Sequence, residues 1–212
     1  YASKAAIKAL FGHLDKYALE LDIVVKCNSV LISAPSAPET TKTPFTEEEI
    51  AAVWKIAEKE WVDTVLILLY MGWRISEMLG IRTENIDLEN RTIKSGVKTK
   101  SGKNRIVPIH PRIFPFIQKR YDPHNEYLFP DAAHAHVTPA AYYTHWQNVM
   151  RELNFSHTPH ECRHTFRTRL DSAGANKTCI DLLMGHKSNS VGERIYTHKT
   201  LAELVDTIIL LR

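Results

Sequence analysis

The densest group of potentially reactive side chains is in the segment T-P-H-E-C-R-H-T-F, residues 158–166. His160, Arg163 and His164 follow at i, i+3 and i+4, so a helix here places them on one face. Two histidines four residues apart can bind zinc, and H-E-C-R-H has the H-E-x-x-H form, but no third ligand is identified and Arg163 would repel a cation. The face therefore favours an anion, and backbone N–H groups near Pro159 would add to its affinity.

Other candidate side chains stand near the ends of predicted elements. Arg74 lies in G-W-R-I-S-E-M-L-G, where Glu77 one turn later is its expected ion-pair partner. His186 follows Gly185, which can end a helix and let the imidazole point inward. Tyr196 lies in R-I-Y-T-H. Taken singly, an ion-paired arginine, a surface histidine and a packed tyrosine are ordinary structural features.

A run of basic residues covers 94–105 and contains no acidic residue. Its members are Lys94, Lys98, Lys100, Lys103 and Arg105. By itself the run is typical of a hairpin edge protected by lysines. It also offers a local patch for a polyanion, which the whole chain does not, since 27 Lys and Arg against 24 Asp and Glu leave a net charge of only +3.

The elements that must position these groups are mostly helical. Thr46 and Glu49 predict a capping box at the start of a helix. Helical spacing or helix signals cover 1–32, 46–57, 62–71, 112–121, 138–153, 160–174, 177–184 and 201–211. Residues 86–109 alternate instead and predict two or three short antiparallel strands. The predicted fold class is mainly α with a small antiparallel β-sheet (α+β).

Composition bounds the protein further. The 212 residues, 44% apolar and 24% charged, are ordinary for a globular chain and exclude a disordered or collagen-like one. No apolar run is long enough for a membrane span. Three cysteines, Cys27, Cys162 and Cys179, are not in metal-ligand spacing and favour a reducing compartment. Three prolines in 33–44 indicate a linker. The chain opens inside a helical pattern, which suggests a fragment.

The order Arg, Lys, His-x-x-Arg, His, Tyr resembles the catalytic domain of tyrosine recombinases, the phage integrase family. The resemblance rests on G-W-R-I-S-E-M-L, K-S-G-K-N-R-I-V-P, H-E-C-R-H-T-F, L-M-G-H and Y-T-H. It covers about 45–212 and is closest to integrases of conjugative transposons and temperate phages. It implies a tyrosine-recombinase catalytic domain at 45–212, the linker at 33–44, and C-terminal helices of a truncated core-binding domain at 1–32.

The resemblance implies DNA strand cleavage and rejoining through a 3′-phosphotyrosine, for integration and excision of a mobile element, without metal or cofactor. The implied catalytic residues are Arg74, Lys100, His160, Arg163, His186 and the nucleophile Tyr196. Glu77 is a supporting residue. The DNA-binding set is Lys94, Lys98, Lys103 and Arg105. His160 is the expected general base and Lys100 the expected acid for the leaving 5′ oxygen.

The implied partners are double-stranded DNA at recombination sites and further copies of the chain. The apolar face of 201–211 is expected either to pack on its own domain or to dock on a neighbour in a tetramer on two DNA sites. Accessory DNA-bending or excision factors and a bacterial cytoplasmic, nucleoid-associated location are also expected. Alternatives are a type IB topoisomerase, a non-catalytic DNA-binding module and a zinc-binding regulator.

Overall fold

The computed structural model describes residues 2–33, 43–95, 105–186 and 199–212, which form two compact units, Tyr1–Thr41 and Lys42–Arg212. The helices are α1 (Ala2–Glu20), α2 (Glu47–Lys55), α3 (Val62–Met71), α4 (Ile75–Leu79), α5 (Phe114–Arg120), α6 (Pro139–Leu153), α7 (Pro159–Ser172), α8 (Lys177–Met184) and α9 (Leu201–Ile208). The strands are β1 (Ile86–Asp87), β2 (Thr92–Ser95) and β3 (Arg105–Pro108). The mainly helical α+β class is confirmed.

The first unit is one helix followed by a short 3₁₀ turn at Ser29–Leu31. The prediction of helix to about residue 32 was wrong, because α1 ends at Glu20. Asp22 takes a left-handed backbone with φ of 56°, and the Ile23 N–H donates to the Ala18 carbonyl at 2.9 Å, which closes the helix end. The predicted linker lies largely outside the described residues.

The second unit is organised around α3, all ten residues of which are buried. Its apolar residues are removed from water on all sides of the helix, and this burial drives the packing of α7 against it. Helix α2 begins with the predicted capping box, since the Glu49 N–H donates to Thr46 Oγ1 at 3.2 Å and the Thr46 N–H donates to Glu49 Oε2 at 2.8 Å.

Gly72 ends α3 and sets the distance between α3 and α7. Its φ of +63° is left-handed, and its N–H donates to the Leu68 carbonyl at 3.1 Å. A Cβ at this position would lie 2.3 Å from Cδ1 of Phe166 on α7. The two helices therefore approach as closely as they do because residue 72 has no side chain.

The three strands form an antiparallel sheet in the order β1-β2-β3. Ile93 of β2 pairs with Val107 of β3, and both are buried, whereas Lys94 pairs with Ile106 and both are exposed. The alternation gives the sheet one face toward the core and one toward solvent. Between β2 and β3 the sequence carries the predicted lysines Lys98, Lys100 and Lys103, which lie outside the described residues.

The last helix, α9, packs on its own unit against α8 and β3. Leu204, Ile208 and Leu211 are buried there, so the apolar face that we expected either to pack on its own domain or to dock on a neighbour is covered by the same chain. Leu201 and Ile209 remain exposed on the other side. The structure thus follows the first of the two alternatives for 201–211, because β3 and α8 supply an apolar surface within reach.

A group that we call the tail cluster holds the carbonyls after α9; it comprises Trp54, Tyr70, His110 and Arg112 with the Leu211 and Arg212 carbonyls. His110 Nε2 donates to the Leu211 carbonyl at 2.8 Å, and Tyr70 Oη donates to the Arg212 carbonyl at 2.9 Å. The guanidinium of Arg112 lies 4.3 Å from the Trp54 ring centroid.

No helix in the described ranges is long and apolar enough to cross a membrane.

Candidate active site

Arg163 is the most enclosed cation of the site, with 3% of its side chain exposed. It lies on α7, which begins with a capping box of Thr158 and Glu161 and carries Pro159 in its first turn. Its Nη1 donates to the Gly72 carbonyl at 2.7 Å and its Nη2 to the Met184 carbonyl at 2.6 Å. These two carbonyls fix the guanidinium between the end of α3 and the end of α8.

Burial and, next in size, the nearby charge of Arg74 together lower the pKa of Arg163 to about 10, against the opposing effect of Glu77. The guanidinium is still protonated at neutral pH, because its pKa remains well above 7. A cation that is both buried and surrounded by other cations gains from the arrival of an anion.

Arg74 and Glu77 form the ion pair that their spacing predicted. Arg74 precedes α4, and its own N–H donates to Glu77 Oε2 at 3.1 Å while its Nη1 donates to Oε1 at 3.0 Å. The two partners differ in exposure: 27% of the Arg74 side chain is exposed against 2% of the Glu77 side chain. Glu77 is therefore the inner member of the pair, and Arg74 has one side open to solvent.

Arg105 has a position that the sequence analysis did not foresee. We expected it among exposed DNA contacts, but only 7% of its side chain is exposed. Its Nη2 donates to Glu77 Oε2 at 3.0 Å and its Nε to the Leu183 carbonyl at 3.1 Å. The only sequence signal was its place at the head of the strand R-I-V-P, directly after the lysine run.

Glu77 is thus shared by three guanidinium groups. Arg163 Nη1 also lies 3.9 Å from Glu77 Oε2. Burial opposes ionisation of Glu77, but hydrogen bonding and charge from Arg105, followed by those from Arg74, outweigh it and hold its pKa below the usual value. Three positive charges around one negative charge leave a surplus of positive charge, which suits a phosphate group.

His186 follows Gly185, which ends α8 with a left-handed φ of 65° as predicted. Arg163 Nη2 lies 2.8 Å from His186 Nε2, and since a guanidinium only donates, Nε2 accepts. Nδ1 faces both Asp181 Oδ1 at 3.5 Å and Arg167 Nη1 at 3.3 Å. Burial and the charge of Arg163 lower the pKa of His186, against the effect of Asp181.

His160 lies at the exposed start of α7, one turn before Arg163. Its ring centroid is 4.8 Å from that of His164, and the two rings are nearly perpendicular. Within the ranges that the structure describes, no group of three or more His, Cys, Asp or Glu side chains could hold a metal ion.

The structure therefore brings together Arg74, Glu77, Arg105, Arg163 and His186, which we call the site cluster. Lys94 is exposed on β2, where it pairs with Ile106. Lys98, Lys100, Lys103 and Tyr196 lie outside the described residues. In the sequence the three lysines connect β2 to β3, whose first residue is Arg105, and Tyr196 lies ten residues after His186.

A fold of this kind with a cluster of arginines and a histidine is that of the DNA-cleaving tyrosine recombinases. Residues 44–203 match the phage integrase family, and the chain belongs to that family.

Three relatives illustrate the similarity. Tyrosine recombinase XerA of Pyrococcus furiosus is 29% identical over 82% of this chain and 63% of its own length. Tyrosine recombinase XerC of Mesorhizobium japonicum is 30% identical over 95% of this chain and 68% of its own length. The Tn1549 transposon integrase, solved in complex with circular intermediate DNA, aligns with a TM-score of 0.68 and 25% identity over 95% of this chain and 75% of that chain. The chain thus spans about 63% of the length of the XerA relative.

Proposed function

We propose that the protein is a site-specific DNA recombinase, or integrase, that cleaves and rejoins strands through a 3′-phosphotyrosine for integration and excision of a mobile element. The observation that carries the proposal is the placement of three guanidinium groups around the single carboxylate of Glu77. Such a centre offers fixed donors to the oxygens of a phosphodiester, whose negative charge grows during transesterification.

Each residue then has a defined task. Tyr196 attacks phosphorus, and the 5′ oxygen leaves with a proton from Lys100. Arg74 and Arg163 hold the non-bridging oxygens with planar donors, while His160 accepts the phenol proton. His186 adds a further donor, which requires a proton on Nε2 once phosphate displaces the contact between Nε2 and Arg163. The phosphotyrosine bond conserves the energy of the broken bond, so the reaction needs no ATP.

The DNA partner is a duplex recombination site, consistent with the DNA complex of the Tn1549 integrase. We infer that residues 1–32 end a core-binding domain, that 33–44 connect it to the catalytic domain at 45–212, and that the exposed Lys94 contacts the duplex together with Lys98 and Lys103. Binding driven by phosphate contacts weakens as salt rises, because it releases counterions. We expect a bacterial, cytoplasmic protein associated with the nucleoid, aided by accessory DNA-bending or excision factors.

The deciding experiment incubates the full-length protein with a nicked suicide duplex carrying the DNA sequence that flanks its gene. Wild-type protein should form a covalent adduct on a denaturing gel, and Tyr196→Phe should bind the duplex without forming one. Tyr143→Phe is the matched control, since Tyr143 is exposed. Tyr142 is a poor alternative nucleophile, because burial raises its pKa and its hydroxyl is 2.7 Å from Thr64 Oγ1. An adduct in Tyr196→Phe would contradict the assignment.

The role of Lys100 has its own test. We expect Lys100→Ala to cleave normal DNA slowly but to recover on a 5′-bridging phosphorothiolate, whose thiolate leaves without an acid. Lys98→Ala and Lys103→Ala are the controls and the next candidates. Equal impairment of Lys100→Ala on both substrates would assign this lysine to phosphate binding instead. Relaxation of supercoiled DNA without strand exchange between two sites would favour a type IB topoisomerase.

We infer that a tetramer assembles on two DNA sites through 200–212. Because Leu204 and Ile208 are buried in their own unit, deletion of this segment would also damage the fold. Ile209→Glu on the exposed side is the sharper change and should prevent pairing of two sites while single-site binding persists. Asp206→Asn, an exposed change within α9, is the control. Normal pairing by Ile209→Glu would place the contact elsewhere.

A further inference from the structure

Arg105 links three parts of the site although it is not one of the residues that we assign to phosphate binding. It begins β3, where the segment carrying the predicted lysines ends. Its guanidinium reaches Glu77 of α4 through Nη2 and the Leu183 carbonyl of α8 through Nε. Met184, the next residue, supplies the carbonyl that holds Arg163. Arg105 thus contacts Glu77, the partner of Arg74, and Leu183, the neighbour of the residue whose carbonyl holds Arg163.

The carboxylate of Glu77 has two close partners of unequal burial. Arg74 donates to it from the main chain and from Nη1, but remains partly open to solvent. Arg105 is almost wholly enclosed and donates to the same carboxylate. The contribution of Arg105 to the low pKa of Glu77 also exceeds that of Arg74. In the enclosed environment, the carboxylate is therefore compensated mainly by Arg105.

This compensation matters for Arg74. A carboxylate paired with Arg74 alone would orient its guanidinium but cancel its charge, and the pair would attract a phosphate weakly. With Arg105 on the inner side of Glu77, the same carboxylate can orient Arg74 while the three groups together keep one positive charge.

We propose that Arg105 is a positioning residue for the arginine clamp: it neutralises Glu77, so that Glu77 holds Arg74 in place without cancelling the charge that Arg74 presents to the scissile phosphate. The inference rests on the proposed recombinase function and deepens it. It assigns to Arg105 an indirect task, exerted through Glu77, in place of contact with DNA.

Two other roles for Arg105 predict different behaviour. Because β3 follows the lysine segment, Arg105 could instead place Lys100 at the leaving oxygen. It could also serve the fold alone, as a buried ion-pair member. These roles can be separated by altering single atoms of the DNA, since each acts on a different part of the reaction.

The experiment measures single-turnover cleavage by the full-length protein on three versions of the suicide duplex that gives the wild-type adduct. The first has a normal phosphate, the second a methylphosphonate that removes one non-bridging charge, and the third a 5′-bridging phosphorothiolate. The variants are Arg105→Gln, Arg105→Lys and the control Arg120→Gln. Arg120 also forms a partly buried ion pair, in which Nη2 donates to Asp63 Oδ1 at 2.8 Å, but among the described contacts it has none with the site cluster.

We expect Arg105→Gln to lose roughly 10- to 100-fold in cleavage rate on the normal phosphate, as for a misplaced clamp. The loss should be the same on the phosphorothiolate, and it should shrink to within about threefold on the methylphosphonate, which places less demand on positive charge. Arg105→Lys keeps the charge but not both contacts, so its losses should follow the same pattern at smaller size. If Arg105→Gln does not fold, the Arg105→Lys variant is used for the test instead.

Three outcomes would overturn the proposal. Rescue by the phosphorothiolate would assign Arg105 to the leaving-group side. Equal losses on all three substrates, matching Arg120→Gln and a lowered melting temperature, would assign it to the fold alone. Wild-type rates in both Arg105 variants would remove it from the mechanism. Failure of the proposed function is seen separately, because wild-type protein would then form no adduct with any of the three duplexes.

Discussion

Two polar clusters of the catalytic unit differ in how their polar and charged groups are paired. In the site cluster, three arginines share the carboxylate of Glu77, and cationic donors remain on the open side at Arg74. In the tail cluster, His110 uses both ring nitrogens, since Nε2 donates to the Leu211 carbonyl and Nδ1 accepts from the Arg112 N–H at 3.2 Å. The site cluster leaves an enclosed surplus of positive charge, whereas in the tail cluster the buried imidazole is bonded within the chain at both nitrogens.

The difference teaches how buried polar groups can be told apart. A buried network in which every polar group is hydrogen-bonded makes the fold more rigid. An enclosed group of charges with excess positive charge lowers stability and therefore indicates a binding site for an anion. Changes in the site cluster should therefore act first on DNA cleavage. Changes in the tail cluster should act on stability alone. The four predictions below test this division, in descending order of expected effect.

Arg163→Ala should give the largest effect and should affect both properties. It removes a phosphate donor, so cleavage should fall by roughly a thousandfold or more. It also leaves the Gly72 and Met184 carbonyls without their partner, which should cost about 2 to 4 kcal/mol of unfolding free energy. Suicide-substrate kinetics and urea unfolding measure the two losses. A cleavage loss below tenfold would remove Arg163 from the clamp.

Arg74→Ala should separate the two properties. Cleavage should fall by roughly 100- to 1000-fold, because the donor on the open side is lost. Stability should change by less than about 1 kcal/mol, since Arg74 is partly exposed and Glu77 keeps its contact with Arg105. The same two measurements apply. A stability loss as large as that of Arg163→Ala would contradict the contrast between an inner and an outer arginine.

The pH dependence of stability should be dominated by the tail cluster. Burial lowers the pKa of His110 to about 4, opposed by its bond to Leu211 and assisted by the charges of Arg112 and Arg169. The unfolded chain therefore binds more protons between pH 6.5 and 4. Stability is complete above this window and falls by about 3 kcal/mol as pH drops through it.

His110→Gln removes the titrating ring and should flatten the pH profile of unfolding over the same window. Its specific rate of cleavage at pH 7 should match that of the wild type, because His110 does not contact the site cluster. An unchanged slope between pH 6.5 and 4 would show that another group, with His186 the next candidate, controls acid stability.

Tyr70→Phe should have the smallest effect. The Tyr70 hydroxyl accepts from Trp54 Nε1 at 3.2 Å and from Arg112 Nη1 at 2.9 Å, and donates to the Arg212 carbonyl. Its loss should cost about 1 to 2 kcal/mol of unfolding free energy with unchanged cleavage. Thermal melting and the suicide assay give the two values. A cleavage defect here would break the division between the clusters.

Local rules predicted the elements of the catalytic unit well. The capping box of Thr46 and Glu49, the pairing of Arg74 with Glu77 and the left-handed Gly185 each involve residues within four positions of each other. Helix geometry makes residues three or four positions apart neighbours, so these contacts can be predicted from sequence spacing alone.

Contacts between distant residues could not be predicted in the same way. Arg105 meets Glu77 across 28 positions and Leu183 across 78. Nothing in the composition of a lysine run tells which cation turns inward, because that depends on the strand register and on the surface that α8 supplies. The end of α1 depends on the single left-handed residue Asp22. The packing of α9 on its own unit depends on tertiary contacts with α8 and β3.

Gly72 places a constraint on how this sequence can change over evolutionary time. A methyl group there would collide with Phe166, beside the carbonyl that holds Arg163, and would also meet the strain of a left-handed backbone, so a smaller residue at 166 removes only one of the two obstacles. Glycine at 72 is therefore required both by the local backbone and by the neighbouring helix, and a change at 166 alone does not release it. Gly174, also left-handed at φ of +75° but with nothing within 4 Å of an added Cβ, permits Asn in a single step without a prior change elsewhere.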